Sequence, residues 1–415
     1  MIWLALILGA EAQDLQVNGD VKSFFIAGFP YDHLLMMEDD YGQSFLDTRL
    51  KIRAKLLPNI KLVAHHAVTM GTATPPSNLS TELAALGQEL EGEMSSGFMT
   101  GVGLQAPEAI DLSWTAFEDS FLILHGRTDR LYLELSVGNA EIRLGRQPIS
   151  FGYGMAFNPL DLIQPFGVAT IDAEYKPGVD AFRTDIYIGM ASQITAVAAY
   201  VGDWNREGMI FAVNGKTTLG MTECSLFAAS VRGDSVFGAG VSGSLGPVGV
   251  YGDATVTLPY EEEDDVFIRA EIGSLWKPFG DTTITAEAYV QTNGAESPED
   301  YLTFASEDPR FARGEIWLMG QYYGTLGISQ QLTPLLGANV ATTANFLDPS
   351  AMISAGLSYS IADNSELYVG GFYGLGQRPD ELTITDLFLD PNALAISSEF
   401  GFYPTMFFAQ LRAYI

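Results

Sequence analysis

Between Ser44 and Leu56 the sequence SFLDTRLKIRAKL alternates without a break. Leu46, Thr48, Leu50, Ile52, Ala54 and Leu56 fall on one face, and Asp47, Arg49, Lys51, Arg53 and Lys55 on the other. Successive side chains of a strand point to opposite sides, so this period of two predicts a strand with one apolar and one charged face. Pro58 and Asn59 mark a short turn, after which Ile60, Leu62, Ala64, His66 and Val68 continue one face against Lys61, Val63, His65 and Ala67. Neighbouring strand residues diverge, so His65 and His66 are not expected to grip a metal together.

The pattern recurs at Arg130–Val137, where Leu131, Leu133, Leu135 and Val137 alternate with Arg130, Tyr132, Glu134 and Ser136. Gly138-Asn139 suits a two-residue hairpin loop. The return strand then sets Ile142 and Leu144 on the apolar face, with Glu141, Arg143 and Gly145 opposite. This register predicts Glu134 facing Arg143 as a cross-strand ion pair, and Tyr132 covering Gly145. Similar alternation runs through 182–190, 266–272 and 284–290, and further candidate strands lie near 309–320, 322–332, 335–346, 350–360, 364–374, 391–401 and 405–415. Together these predict about 16 strands, with 14 and 18 as the bounds.

Many strands of about ten residues, short turns alternating with longer polar loops, and charge on the second face predict an all-β fold, a single transmembrane antiparallel β-barrel. Closure removes the unpaired edges that lipid would leave unsatisfied. A large soluble β-sandwich is the alternative reading. Two segments are less regular. Leu79, Leu83, Leu86 and Leu90 have helical spacing, either a short helix in a long loop or an amphipathic surface turn, and 375–390 reads as another long loop.

Composition agrees with a spread-out apolar surface. The 415 residues include 43 Gly, 25 Phe and 18 Tyr but only 17% charged residues. The one continuous apolar run, Met1–Ala10, is too short to cross a bilayer as a helix and precedes the small-x-small pattern Ala10-Glu11-Ala12. Residues 1–12 are therefore expected to be a signal peptide and 13–415 the barrel. A single cysteine, Cys224, excludes an internal disulfide and a multi-cysteine metal site. A formal net charge of −30 argues against nucleic acid, whose backbone needs cationic partners. His33, His65, His66 and His125 lack ligand spacing, and no HExxH or GxSxG motif is present, so no catalytic residue, metal or cofactor is expected.

The chemistry that remains belongs to a water-filled lumen. Arg49, Lys51, Arg53, Lys55, Glu134, Arg143, Arg183, Arg269 and Glu271 are the candidate pore-lining residues, since such side chains stay hydrated inside while the opposite face meets lipid. The cations would form a positive strip for anionic groups, or pair with Asp47, Glu134, Asp185, Glu271 and Glu287. The excess of acid favours the paired arrangement, or a mild cation preference if acidic loops line the mouth.

The stretch 145–167, GRQPISFGYGMAFNPLDLIQPFG, interrupts the strand pattern with glycines, aromatics and three prolines. Gly145, Arg146, Gln147, Phe151, Gly152, Asn158, Pro159 and Asp161 make it similar to a segment of the bacterial outer-membrane barrels related to alginate-export and other specific porins. That resemblance implies passive transfer of a solute through the outer membrane. Alginate conduits imply a strongly cationic lumen, which an acidic chain does not suggest. The C-terminal FFAQLRAYI alternates as a closing strand should, but ends in Ile415 where such barrels usually end in an aromatic residue. Arg146, Asn158 and Asp161 are the loop or constriction candidates. Simple alternation sends Arg146 outward with Leu144, to the lipid side or the membrane boundary, whereas Asn158 and Asp161 are expected to hold the loop through backbone hydrogen bonds.

The function expected is passive transport of small hydrophilic solutes or ions, with outer-membrane lipid as partner and with monomer and homotrimer both open. The alternative is a structural or adhesive surface barrel whose lumen is plugged by loops. An outer-membrane enzyme ranks third for want of a His-centred site.

Overall fold

A computed structural model describes residues 14–31, 40–72, 107–118, 122–163, 165–167, 170–172, 174–261, 265–379 and 396–415. The expected signal peptide and the Leu79–Leu90 segment lie outside the described residues. The strands are β1 (Asp14–Phe29), β2 (Tyr41–Leu57), β3 (Ile60–Thr72), β4 (Ser113–Glu118), β5 (Leu122–Val137), β6 (Ala140–Gln147), β7 (Val179–Ile188), β8 (Ser192–Tyr200), β9 (Met209–Leu219) and β10 (Thr222–Val231). They continue with β11 (Asp234–Leu245), β12 (Val248–Leu258), β13 (Phe267–Trp276), β14 (Thr282–Gln291), β15 (Tyr322–Thr333), β16 (Leu336–Asn345), β17 (Ser350–Ala362), β18 (Ser365–Leu375) and β19 (Thr405–Tyr414).

The first strand closes the sheet. Lys22 of β1 lies opposite Asp47 of β2 on one edge and opposite Arg412 of β19 on the other. Every neighbouring pair is antiparallel, and all strands but β4 complete the ring, giving an 18-strand barrel. β6 is short because Pro148 has no N–H to continue the ladder. It covers Leu131–Val137 of β5, and β4 takes the length of that same edge that β6 leaves bare, pairing with Ile123–Arg127.

The expected 16 strands are therefore too few, the candidate at 309–320 is not a strand, and neither is the described part, 396–401, of another. Residues 309–320 begin with a helical turn, α1 (Pro309–Ala312), because Asp308 accepts hydrogen bonds from Arg310 N at 2.7 Å and Phe311 N at 3.2 Å and Pro309 suits the first helical position. The described end of 391–401 enters α2 (Glu399–Phe402), capped by Ser398, whose hydroxyl accepts from Gly401 N at 3.1 Å.

The hairpin at Gly138-Asn139 has the expected register, with Tyr132 opposite Gly145 and Glu134 opposite Arg143. Leu133, Leu144 and Phe182 lie side by side across β5, β6 and β7 and are exposed, as an outward apolar belt requires. Between them the alternating positions Glu134 and Asp185 are buried. His65 and His66 diverge as expected: His65 meets Tyr175, while His66 stacks on Trp114 with centroids 6.3 Å apart.

Connections at one end of the barrel are tight turns, including those at Pro58-Asn59, Gly138-Asn139 and Asp363-Asn364. The long connections all leave from the other end. One of them, 148–178, contacts Lys22 of β1 and, on the opposite side of the ring, Phe227 of β10 through Phe151, as well as Glu287 of β14. A single segment can do this only by passing through the interior. Its Ile149, Phe151, Leu160, Leu162 and Ile163 pack with Val197, Ile210, Phe227 and Val236 of the wall. Phe157 and Ile171 join a second cluster with Tyr289, Tyr323, Met352 and Phe408.

Candidate functional site

The crossing loop leaves the wall just past Gly145, where β6 ends at Gln147. Gly145 has φ +121°, and a Cβ there would come within 2.2 Å of Leu131 O, so only glycine fits. Arg146 stays in register opposite Asp180, on the parity of Leu144, but is covered by protein instead of facing lipid, which corrects the lipid-side expectation. Its side chain is 1% exposed, bonded to Asp180 at 2.9 and 3.0 Å, Glu108 at 2.9 Å, Thr128 O at 3.1 Å and Ile110 O at 2.7 Å. Arg146 thus ties β5, β7 and the approach to β4 together at the point where the loop leaves the wall.

Inside the loop, Asn158 donates from Nδ2 to Phe151 O at 2.8 Å and accepts from the backbone N–H groups of Leu160 and Asp161 at 3.2 Å. Asp161 accepts from Ser150 Oγ at 3.0 Å and from Lys176 at 2.5 Å. Burial pushes the Asp161 carboxyl up and the Lys176 ammonium down, the mutual ion pair opposing both. The backbone-holding role expected of Asn158 matches this geometry. Asp161 accepts from the Ile163 backbone and also holds the Ser150 and Lys176 side chains, pinning the end of the loop to its beginning.

Two walls hold the loop by different means. On the β12–β14 side, carboxylates grip backbone. Asp253 accepts from Tyr153 N at 2.5 Å and Gly154 N at 3.0 Å; Glu287 accepts from Met155 N at 3.0 Å, Ala156 N at 2.9 Å, Phe157 N at 2.9 Å and Tyr251 Oη at 2.6 Å. The fold is tight here, since a Cβ on Gly154 would sit 1.8 Å from Phe157 O. Glu271 lies opposite Asp253 in register, and both of its carboxylate oxygens lack a hydrogen bond although it is 6% exposed. Arg269 donates to Pro159 O at 3.4 Å.

On the β1, β2, β5 and β19 side, charged and aromatic side chains meet. Lys22 binds Asp172 at 2.7 Å and Glu174 at 2.9 Å. Burial opposes ionisation of both carboxyls, but the Lys22 ammonium outweighs it and holds them below the usual carboxylate range. The Tyr175 ring lies under two guanidiniums, with Arg49 Cζ 3.8 Å and Arg130 Cζ 4.4 Å from its centroid. Its hydroxyl meets His65 Nδ1 at 2.5 Å, and burial raises its pKa, so the phenol is neutral.

The cations of the alternating strands are mostly neutralised. Arg49 pairs with Asp129 at 3.1 Å and Asp47 at 3.3 Å, Lys51 with Asp20, Arg143 with Glu134 at 3.1 Å, and Arg183 with Asp185 at 2.8 Å. Arg143 and Arg183 stand directly opposite in register, an arrangement tolerable because each holds its own carboxylate. Among the described residues Arg53 and Lys55 have no ion pair, and Arg53 is exposed. Of the residues predicted from sequence, Arg269, Asn158 and Asp161 meet in the loop, with Glu271 against its wall. Arg49 and Lys51 border Tyr175; Glu134, Arg143 and Arg183 form a separate group at the hairpin. Lys22, Asp253, Asp172, Glu174 and Tyr175 escaped prediction. The isolated acid in GVYGDATVTL and the acid-aromatic-cation run ending in Glu174-Tyr175-Lys176 were the available signals. Among the described residues no group of three or more His, Cys, Asp or Glu is arranged to hold a metal.

No family model matches the sequence, and no curated protein matches it. Solved structures do match in fold. OccAB2 of Acinetobacter baumannii is 9% identical with a TM-score of 0.58, over 98% of this chain and 99% of that one. OpdK of Pseudomonas aeruginosa, in a structure with vanillate, is 9% identical with a TM-score of 0.57, over 97% and 99% of the two chains. OccK2 (OpdF) of Pseudomonas aeruginosa, in complex with glucuronate, is 8% identical with a TM-score of 0.54, over 97% and 98%. OpdK carries the description outer membrane protein. Across nearly its whole length the chain thus shares the fold of these bacterial barrels, with a loop folded inward through the ring.

Proposed function

We propose that the chain is an outer-membrane channel for passive passage of small hydrophilic solutes or ions. The observation that carries this reading is the closed ring with an apolar exterior and an ion-paired interior, crossed at mid-height by the 148–178 loop. A ring satisfies every strand edge in lipid, and charged side chains persist at that depth where water reaches them. In this reading the loop sets the constriction. Arg49, Lys51, Arg53, Lys55, Glu134, Arg143, Arg183, Arg269 and Glu271 supply the field around it. Arg53 and Lys55 are the cations most available to a passing anion, and the vanillate and glucuronate named with OpdK and OccK2 make small carboxylates the first solutes to test.

A second reading, a surface barrel closed by its own loop, is favoured by the fastening of that loop to both walls. Proteoliposome swelling separates the two. A channel admits arabinose and small carboxylate salts and swells the vesicles, whereas a plugged barrel, shown to be folded by its heat-modifiable electrophoretic mobility, leaves swelling at the protein-free rate.

A further inference from the structure

The two fastenings of the crossing loop differ in what it takes to undo them. On the β12–β14 side, release would strip backbone N–H groups of their carboxylate acceptors inside a tightly folded turn. On the other side the contacts are mainly side chain to side chain, with one backbone contact where Arg130 donates to Lys176 O. Lys22 holds Asp172 and Glu174, Gln410 donates to Asp172 at 3.4 Å, Tyr414 Oη reaches Glu174 at 3.2 Å, and Tyr175 fills the space between Arg49 and Arg130. Each of these side-chain contacts can be exchanged for water or a mobile ion without taking an acceptor from a backbone N–H. The loop's acids stand where a permeating anion would meet Lys22, and its ring covers the faces of two guanidiniums.

We propose that Asp172, Glu174 and Tyr175 form a displaceable latch, a tethered counter-anion and aromatic that closes the cationic side of the lumen while the Asp253 and Glu287 attachments stay fixed as its anchor. The proposal rests on the channel reading. The latch closes by pairing with Lys22 and stacking under Arg49 and Arg130, and it opens when those cations take water or small anions instead. Tyr175 is the decisive element, since it alone bridges β2 and β5 through its ring. Its hydroxyl bond to His65 is secondary.

The test is single-channel recording of the full chain in planar bilayers in KCl, for wild type, Tyr175→Ala, Tyr175→Phe and the double variant Asp172→Asn/Glu174→Gln. Folding is verified by heat-modifiable mobility. The latch predicts that Tyr175→Ala shifts the ratio of open to closed time about tenfold toward open, as expected for losing a desolvated cation–π contact. Tyr175→Phe, which keeps the ring, should gate as wild type does, and the double variant should open in the same direction as Tyr175→Ala. Open and closed times in Tyr175→Ala and in the double variant equal to wild type would overturn the latch while leaving the channel standing. If Tyr175→Ala fails to fold, the double variant decides alone, by the same comparison with wild type. Absence of conductance in every folded variant would overturn the channel reading and the latch with it.

Discussion

Replacing Glu287 by Gln should free the anchored side of the crossing loop. In the wild type its carboxylate accepts from the amides of Met155, Ala156 and Phe157 and from the Tyr251 hydroxyl, all between 2.6 and 3.1 Å. A hydrogen bond to a charged acceptor contributes roughly 1.5–3 kcal/mol, and a buried donor left unmet costs a similar amount. Glutamine keeps one acceptor oxygen but turns an NH2 group toward amides that can only donate, so about two of the backbone donors lose their partner. Because such contributions are not additive, the local loss is set at about 3 kcal/mol, which corresponds to roughly a hundredfold faster opening of these amides. Hydrogen–deuterium exchange of the barrel in detergent, followed on peptides covering 151–163, reads the effect directly. Wild-type-like protection of Met155–Phe157 in the Gln variant would refute the anchoring role of Glu287.

Other substitutions probe the launch of the loop, its wall and the α2 end. Gly145→Ala should destabilise the barrel against denaturant by about 1–3 kcal/mol or more, because φ +121° and the nearness of Leu131 O both oppose a Cβ; an unchanged midpoint would contradict this. Glu271→Gln should leave the thermal midpoint unchanged or raise it, since it removes an unpartnered carboxylate flanked by Asp253 and Glu287; a loss above about 2 kcal/mol would show that a missing partner exists. Glu399, buried and hydrogen-bonded to Met319 N, Tyr323 Oη and Asn345 Nδ2 near Asp348, is pushed by burial to about 7, above the ordinary value of 4.5. A raised carboxyl favours folding most fully below the ordinary value and loses that contribution as pH climbs through about 7. Thermal stability should therefore fall between pH 5 and pH 8 more in wild type than in Glu399→Gln, and parallel curves would contradict the assignment.

How far the sequence could be read depended on how sharply the two faces of a strand differ. Between Arg130 and Gly145 large apolar residues alternate with charged ones, and the pairing of Glu134 with Arg143 was legible to the residue. In β11, DSVFGAGVSGSL, small residues on both faces blur the alternation that marks a strand. The 309–320 segment failed for a different reason. Asp308 and Pro309 carry a helix-start signal that outweighs the neighbouring apolar spacing. The covering of Arg146 depends on Asp180 and Ile110, 34 and 36 residues away, which no local side-chain pattern encodes. Asn158 was readable because its partners are local. The partners of Lys22 and Glu287 lie 150 and 132 residues away, and only closure of the ring brings them to the loop.

A water-filled path through a closed barrel, partly crossed by the barrel's own loop, is tested most directly by planar-bilayer recording of the purified, folded full-length chain. Such a path gives discrete, reproducible conductance steps. Their ion selectivity should shift toward cations when Arg53 and Lys55, which have no ion pair among the described residues, are replaced by Gln. Folded protein that inserts into the bilayer yet passes no steady current at any voltage would contradict it.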